Sequence, residues 1–428
     1  MMKTVSELRT AINSAETAEK FAQVYGRDAV AAQQARYAKA LDRFCEIFPA
    51  DTEQLTAFSA PGRTEVGGNH TDHQHGCVLA ASVNLDVIAI TAARTDGQIT
   101  VKSEGFDADH VDTADLTVHP EEAGRSQALI RGVCSGFIRR GYRVGGFDAY
   151  TISSVLKGSG LSSSAAFEVL IGNILNHLYN DGKMDAVTIA QVAQYAERDY
   201  FGKPCGLMDQ TASSVGGFVA IDFADPEKPV VEQVNFRFAD CGHNLVIVDT
   251  KGDHADLTDD YAAIANEMRA VAAQFGKTVL REVDPAEFYA KLGALRGVVS
   301  DRALLRAMHF FDDNARAQKE AALLRAGDFE AFKQEILASG RSSFMHLQNA
   351  YSIKNPAQQG IPLALAMSER LLAGKGAWRV HGGGFAGTMQ AFVPCDLTAD
   401  YCAAMERLFG EGSCYVLNVR PVGGTKMI

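Results

Sequence analysis

Lys157-Gly-Ser-Gly-Leu-Ser-Ser-Ser-Ala-Ala-Phe-Glu-Val169 is the stretch around which the rest of the chain is organised. Gly158 and Gly160 free the backbone to curl tightly. Three hydroxyls come next, at Ser162, Ser163 and Ser164. An apolar run then starts at once: Ala165, Ala166, Val169, Leu170, Ile174, Leu175 and Leu178. Its spacing mixes three and four, the period of a buried helix face. A glycine loop that opens into a helix N-terminus presents unpaired N–H groups and the positive end of the helix dipole, which together make an anion site. Serine hydroxyls placed there can hold phosphate oxygens or a magnesium ion. The alternative is a flexible loop with an ordinary serine cap.

Neither usual nucleotide loop is present. No stretch fits Gly, four residues, Gly-Lys-Ser/Thr. Gly382, Gly384 and Gly387 do match a G-x-G-x-x-G spacing, but Met389-Gln-Ala-Phe-Val393 comes after them and reads as a strand, where the dinucleotide fingerprint requires a helix.

Composition narrows the class. The chain has 428 residues, 47% hydrophobic and 22% charged, which is globular and long enough for two or three domains. Its formal net charge of −11 argues against nonspecific nucleic-acid binding, which needs excess Lys and Arg. No apolar run reaches membrane-spanning length, and no signal peptide is visible. Eight cysteines are scattered without a C-x-x-C pair, so a reducing cytoplasm is the expected home.

Upstream of the loop, residues 5–48 read as helical and Pro49 stops them. Phe58-Ser-Ala-Pro-Gly-Arg63 reads as a short apolar piece broken by a Pro-Gly turn. The next segment packs Arg63, Glu65, Asn69, His70, Asp72, His73 and His75 into little space. Its mixed donors and acceptors suit a polar lining for a small hydroxylated ligand. The histidine spacing does not fit a zinc helix. Val78–Val83 and Val87–Thr91 read as two strands, with another at Ile99–Lys102 and irregular chain from Asp107 to Pro120. Ala128–Arg140 reads as a helix and Phe147–Ser153 as a strand.

Downstream, Ala186–Tyr200 reads as a helix with Glu197 near its end. A carboxylate is unfavourable at a helix C-terminus, so this one needs a reason. Asp209 stands after a glycine turn among small and apolar residues, either as a helix cap or as a catalytic group. Strands are expected at Phe218–Phe223 and Asn244–Asp249, with a domain change near residue 240. Asp259–Gln274, Phe310–Ala338 and Ile361–Leu372 carry helical patterns. Ala377–Val380 and Met389–Val393 flank the glycine turn, and Cys414–Val419 is a last strand. Alternating helices and hairpin-like strands predict an α+β second half built as a split sandwich.

Three of these stretches resemble, in this order and spacing, the galactokinase branch of the GHMP kinases. Ala60-Pro-Gly-Arg63 with Asn69-His-Thr-Asp72 resembles the sugar motif of that branch, and Gly206-Leu-Met-Asp-Gln210 its catalytic segment. Gly158 to Ala166 resembles the family phosphate loop, and Val380 to Gly387 the third, glycine-rich motif. The resemblance implies an ATP-dependent sugar 1-kinase with two domains, residues 1–240 and 241–428, and the active site in the cleft between them.

It also implies roles. Asp209 matches the catalytic aspartate beside the sugar C1 hydroxyl, and Arg63 the arginine that pairs with it. Ser164 and Glu197 match magnesium ligands. Gly158, Ser159, Gly160, Leu161, Ser162, Ser163 and Ser164 match the loop around the ATP phosphates. Asn69, His70, Asp72, Gly206 and Tyr261 match the galactose-contacting positions.

Where the branch usually reads Asn-Leu-Ile-Gly-Glu-His-Thr-Asp-Tyr, this chain reads Glu65-Val-Gly-Gly-Asn-His-Thr-Asp-His73. Leu156 stands for the usual proline, and Ala262 and Ala263 come after Tyr261. With a neutral Asn69 at the position that holds the C6 hydroxyl, the pocket is expected to be less strict there. Galactose is then the expected substrate, with galacturonate or L-arabinose as runner-up. A non-catalytic sugar sensor is the competing class, but such sensors lose residues of the serine-alanine loop, which is complete here. A kinase of a non-sugar alcohol is disfavoured by the Asn69-His-Thr-Asp72 segment.

Overall fold

The structure is a computed structural model and describes residues 3–50, 53–155, 160–203, 205–252 and 257–428. Three helices lead the chain: α1 (Val5–Ile12), α2 (Ala15–Tyr25) and α3 (Val30–Ile47). Thr4 caps α1 through a reciprocal pair with Glu7, and Ser14 caps α2. They cover one face of a large sheet formed by β1 (Leu55–Gly67), β2 (Cys77–Arg94), β3 (Gln98–Ser103), β4 (Ala108–Asp112), β5 (Gly146–Ser153), β6 (Phe218–Asp222), β7 (Val230–Val234) and β12 (Thr425–Lys426). The order is β12-β1-β2-β5-β3-β4, and β6 joins β2 to β7. Only β3 and β5 run parallel among its pairs.

Successive residues of a strand face opposite sides, and both sides of the central strands β1, β2 and β5 are dry. Ile88 and Ile90 of β2 meet Phe21, Tyr37, Leu41 and Phe44 of the leading helices. Val87 and Ala89 face the other way, toward α4 (Ser126–Arg139), α5 (Ser163–Tyr179) and α6 (Ala186–Tyr195), through Ile130, Val169, Leu170 and Val192. Burial on both faces explains the near-continuous apolar runs in these central strands.

Three expectations are corrected here. Pro61-Gly62 is no turn: β1 runs through it, and the pairing with β2 merely shifts register between Pro61 and Arg63. A bulge accommodates proline without ending the strand. On the partner side Val78–Val83 and Val87–Thr91 are one strand, β2, bent across the same irregularity. The segment expected to be irregular also holds β4.

After α7 (Met208–Val215) and β6 and β7, the chain builds a second, fully antiparallel sheet. Its order is β11 (Cys414–Leu417), β8 (His243–Asp249), β10 (Thr388–Pro394), β9 (Ala377–Val380). Leu245, Ile247 and Phe392 pack on α10 (Asp301–Arg325) and α11 (Phe329–Ser342) through Leu324, Phe332 and Ile336. Val246, Val248 and Met389 face α12 (Gly360–Leu372) and α13 (Thr398–Phe409) through Ala364, Tyr401 and Met405. Helices α8 (Thr258–Ala273) and α9 (Pro285–Leu295) complete this half. The long pattern expected at 310–338 is two helices, because Gly327 and the Asp328 cap separate them.

The two halves are not cleanly divided at residue 240. The chain end returns as β12 to pair with β1, and Arg420 is buried beneath the first sheet. There it donates to Asp86, which also receives Arg36 at 2.5 Å and Tyr25 at 2.6 Å. No helix among the described residues is long and apolar enough to cross a membrane.

Candidate active site

The bulge that carries β1 past Pro61 sets Arg63 on the strand opposite the N-terminus of α7, where Asp209 is the second helical residue. The two side chains meet in a two-pronged ion pair. Arg63 Nε donates to Asp209 Oδ1 at 2.7 Å, and its Nη2 donates to Oδ2. Arg63 Nη1 donates to the Gly160 carbonyl, and its backbone N–H donates to the Leu161 carbonyl at 3.0 Å. One arginine therefore ties the carboxylate to the serine loop. Burial pushes the Asp209 carboxyl up, but the Arg63 charge, hydrogen bonds from Arg63 and Ser162, and the Lys203 charge outweigh it and hold it below the usual carboxylate range. Asp209 is thus ionised at neutral pH.

Gly158 and Ser159 lie outside the described residues. From Gly160 onward the backbone curls as expected: Gly160 has φ +72° and Ser162 φ +55°, both left-handed. Ser162 stands at the cap position of α5 without a side-chain capping bond, so the serine-cap alternative fails there. Ser163 and Ser164 open the helix, and the first N–H groups of its 17 residues point along the axis beside Arg63 and Asp209.

Glu197 gains its reason. α6 ends in a π-helical turn, Ala196–Tyr200, that carries Glu197 inward until its side chain is 1% exposed. Three donors converge on it. Ser164 Oγ and Lys203 Nζ reach Oε1 at 2.9 and 2.8 Å, and Gln210 Nε2 reaches Oε2 at 2.7 Å. A buried carboxylate and a hydroxyl converging beside a phosphate-type loop are the hard oxygen donors a magnesium ion takes. The Lys203 ammonium already places a cation on the same oxygen. Neither Lys203 nor Gln210 stands out in the sequence as a site residue. Lys203 has a local signal there all the same, as a cation six residues past Glu197.

The sugar-motif residues sit under the glycine turn between β9 and β10. Three consecutive carbonyls hold three of them. Asn69 Nδ2 donates to Gly382 at 2.8 Å, the His70 ring N–H at Nε2 to Gly383 at 2.9 Å, and the Tyr261 hydroxyl to Gly384 at 3.1 Å. Burial, then the neighbouring His73, pushes the His70 imidazole down to about 4, so it is neutral and its Nδ1 is an acceptor. His70, Asp72, Gly206, Tyr261 and Gly383 line a cavity of about 1000 Å³. Gly206 is required there, since a Cβ at that position would lie 2.7 Å from Asp72 Oδ2.

Asn69 departs from expectation. It is wholly buried and does not line the cavity. Its amide nitrogen is used by Gly382 and by Glu65 Oε1 at 2.7 Å, and its amide oxygen accepts from Asn349 at 2.8 Å. Its backbone N–H and carbonyl are taken by Asp313 and His309. An amide with every group engaged by the protein has nothing left to offer a sugar. The residue clamps the motif to the second half of the chain instead, and the expected loosening at C6 loses its physical basis.

Comparison with known proteins agrees with this geometry. A model of the GHMP kinases N terminal domain matches residues 128–217, and a model of the galactokinase galactose-binding signature matches residues 42–93. The chain is 32% identical over 352 residues to a Streptomyces coelicolor galactokinase, covering 82% of this chain and 87% of that protein. It is 33% identical over 402 residues to a human galactokinase, covering 91% and 96%. Among solved structures, Lactococcus lactis galactokinase complexed with galactose superposes with a TM-score of 0.76 at 24% identity, over 92% of this chain and 100% of that one. The chain belongs to the galactokinase family of the GHMP kinases.

Proposed function

We infer that this protein transfers the γ-phosphoryl group of ATP to the C1 hydroxyl of galactose, giving galactose 1-phosphate and ADP. The observation that carries the reading is the two-pronged Arg63–Asp209 pair tied to the serine loop. The two galactokinase relatives above and the galactose-bound solved structure support galactose as the sugar.

Phosphoryl transfer is chiefly positioning and charge stabilisation. The ionised Asp209 carboxylate accepts a hydrogen bond from the C1 hydroxyl and aims its oxygen at the γ-phosphorus. As the C1 oxygen–phosphorus bond forms, the bond from the γ-phosphorus to the β-γ bridging oxygen breaks, and the hydroxyl proton passes to Asp209. Its lowered pKa makes it an orienting and stabilising group more than a strong base. Arg63 keeps the carboxylate charged and in place, and adds positive charge beside the transferring group. The first N–H groups of α5, with Ser162, Ser163 and Ser164, cradle the phosphates. Neutral His70, with Asp72 and the open face at Gly206, fixes the sugar ring, and Tyr261 closes the cavity from the second half. Ser164 and Glu197 are the residues that would hold magnesium, which supplies charge neutralisation on the phosphate oxygens. Eight free thiols fit a reducing, ATP-containing cytoplasm.

The test is ADP release with galactose, galacturonate, L-arabinose and no sugar, with the product identified by phosphorus NMR. The reading expects galactose to dominate and phosphate on C1. ADP release that galactose does not stimulate would overturn it.

A further inference from the structure

Lys203 has no step in the mechanism above, yet it is bound to the carboxylate that would hold the metal. Its backbone N–H donates to the Glu197 carbonyl at 3.0 Å, just past the π-helical turn. Its side chain folds back, and Nζ donates to Glu197 Oε1 at 2.8 Å. The two partners lie at different depths. The Glu197 side chain is 1% exposed and that of Lys203 is 54% exposed, so the ammonium reaches a buried carboxylate from the solvent side. Lys203 also lines the cavity that Asp72, Gly206 and Tyr261 line.

The three donors on Glu197 are not equally free to leave. Gln210 is wholly buried in α7, next to Asp209, and it bonds the other oxygen, Oε2. Ser164 stands in the first turn of α5, and its hydroxyl is itself an oxygen ligand for a hard cation. Lys203 shares Oε1 with Ser164 but sits on a flexible four-carbon stem. A divalent ion that binds Oε1 and the Ser164 hydroxyl needs the place the ammonium holds. A protonated lysine has no lone pair to offer a metal, and two cations on one buried oxygen repel strongly. Lys203 is the donor that can withdraw.

Charge gives the ammonium its purpose. A carboxylate this buried is strongly disfavoured without a cation beside it. Among the described residues, Lys203 is the one cation in ion-pair contact with Glu197. Behind it Gln210 Nε2 lies between two carboxyl groups, since it also donates to the buried Glu168 at 3.2 Å. Beyond Glu197, the charge that acts most on Lys203 is that of Asp209. An ammonium released from Glu197 is therefore still held near the reacting centre.

We propose that Lys203 is a positioning residue for the metal site: its ammonium is the counter-cation that holds Glu197 in place while no metal is bound, and magnesium entering with ATP displaces it from Oε1 into the cavity it lines. The assignment rests on the reading of Glu197 as a metal ligand of an ATP-dependent kinase. It makes the Lys203 pair and the bound metal mutually exclusive, so Lys203 sets how tightly the site takes a divalent ion.

The experiment uses Mn²⁺ as a paramagnetic stand-in for magnesium. Its binding to the ADP complex is measured by electron paramagnetic resonance, with no sugar and no turnover, and the protein without metal or nucleotide is melted thermally. Wild type is compared with Lys203→Met, Lys203→Gln, Lys203→Arg and Glu197→Gln. Removing the competing charge predicts Mn²⁺ binding about tenfold or more tighter in Lys203→Met. The metal-free melt should fall by a few degrees in the same variant, because Glu197 loses its counter-charge. A merely structural ion pair would lower the melt and leave Mn²⁺ affinity unchanged or weaker. Lys203→Gln is also neutral and decides the matter if Lys203→Met does not fold. Lys203→Arg keeps the cation and should bind Mn²⁺ no tighter than wild type; tightening there as well overturns the charge argument. Glu197→Gln separates the two readings. Weaker Mn²⁺ binding in that variant, with unchanged or weaker binding in a folded neutral Lys203 variant, overturns the Lys203 assignment alone. Unchanged binding in Glu197→Gln overturns both.

Discussion

Replacing Asp209 by asparagine tests the centre of the mechanism with little change of shape. In the native site both carboxylate oxygens accept from one guanidinium, with Nε to Oδ1 at 2.7 Å. An amide offers one acceptor, turns its NH₂ toward Arg63, and leaves that guanidinium uncompensated apart from the Gly160 carbonyl. Fully buried pairs cost about 3–5 kcal/mol when one partner is removed, and exposed pairs about 0–1 kcal/mol. These side chains are 12% and 24% exposed, so a stability loss of about 1–3 kcal/mol is expected. The catalytic loss is larger. A positioned acid–base group contributes roughly 10²–10⁴-fold, about 2.7–5.4 kcal/mol of barrier at 1.36 kcal/mol per decade. Because Asp209 is already ionised at neutral pH, the substitution removes the whole charge at the working pH. A coupled ADP assay gives kcat, calorimetry gives galactose binding without ATP, and a thermal melt checks that the variant is folded. The expected result is kcat down by about two decades or more with galactose affinity within a few-fold. A folded Asp209→Asn enzyme with kcat within about threefold of wild type would refute the role.

Glu197→Gln should raise the magnesium concentration needed for half-maximal turnover several-fold, while calorimetric galactose binding without ATP stays unchanged. An unaltered magnesium titration would make Glu197 an anchor for Lys203 and Gln210 only. Asp86→Asn strands Arg36 and Arg420, both paired with Asp86 beneath the sheet, and should cost about 3–5 kcal/mol of stability in denaturant titrations, with galactose KM little changed below the melt. Glu65 makes stability pH-dependent in the sense opposite to a paired acid. Burial, against the pull of Arg379 and Asn69, raises its carboxyl to about 7 from an ordinary 4.5, so the folded state binds the extra proton. Its contribution is full below about pH 4.5 and is lost as pH rises through about 7. Relative to Glu65→Gln, wild type should lose on the order of 1–3 kcal/mol between pH 5 and pH 8, and parallel melting curves for the two proteins would count against it.

The sequence alone determined what local chemistry dictates. The glycine-serine run and the apolar period after it specify a loop and a buried helix wherever they sit. Asn244–Asp249, Ala377–Val380 and Met389–Val393 were legible as strands because their apolar content needs no distant partner to be read. The order of motifs was likewise enough to identify the kinase family. Where side chains end up was decided only by the tertiary structure. Pro61-Gly62 reads as a turn until β2 supplies a bulged partner that lets the strand continue. Arg63 and Asp209 are 146 residues apart, and nothing local to either specifies their pairing. Glu197 looks misplaced at a helix end until the π-helical turn carries it to Ser164, Lys203 and Gln210. Asn69 and Glu65 show the limit most clearly. By position Asn69 belongs to the sugar, yet Gly382, Asn349, Asp313 and His309, all from the second half of the chain, use up its hydrogen-bonding groups. A buried polar group is satisfied by whatever the fold brings within about 3 Å, and apart from the bond between these two residues those partners lie hundreds of positions away.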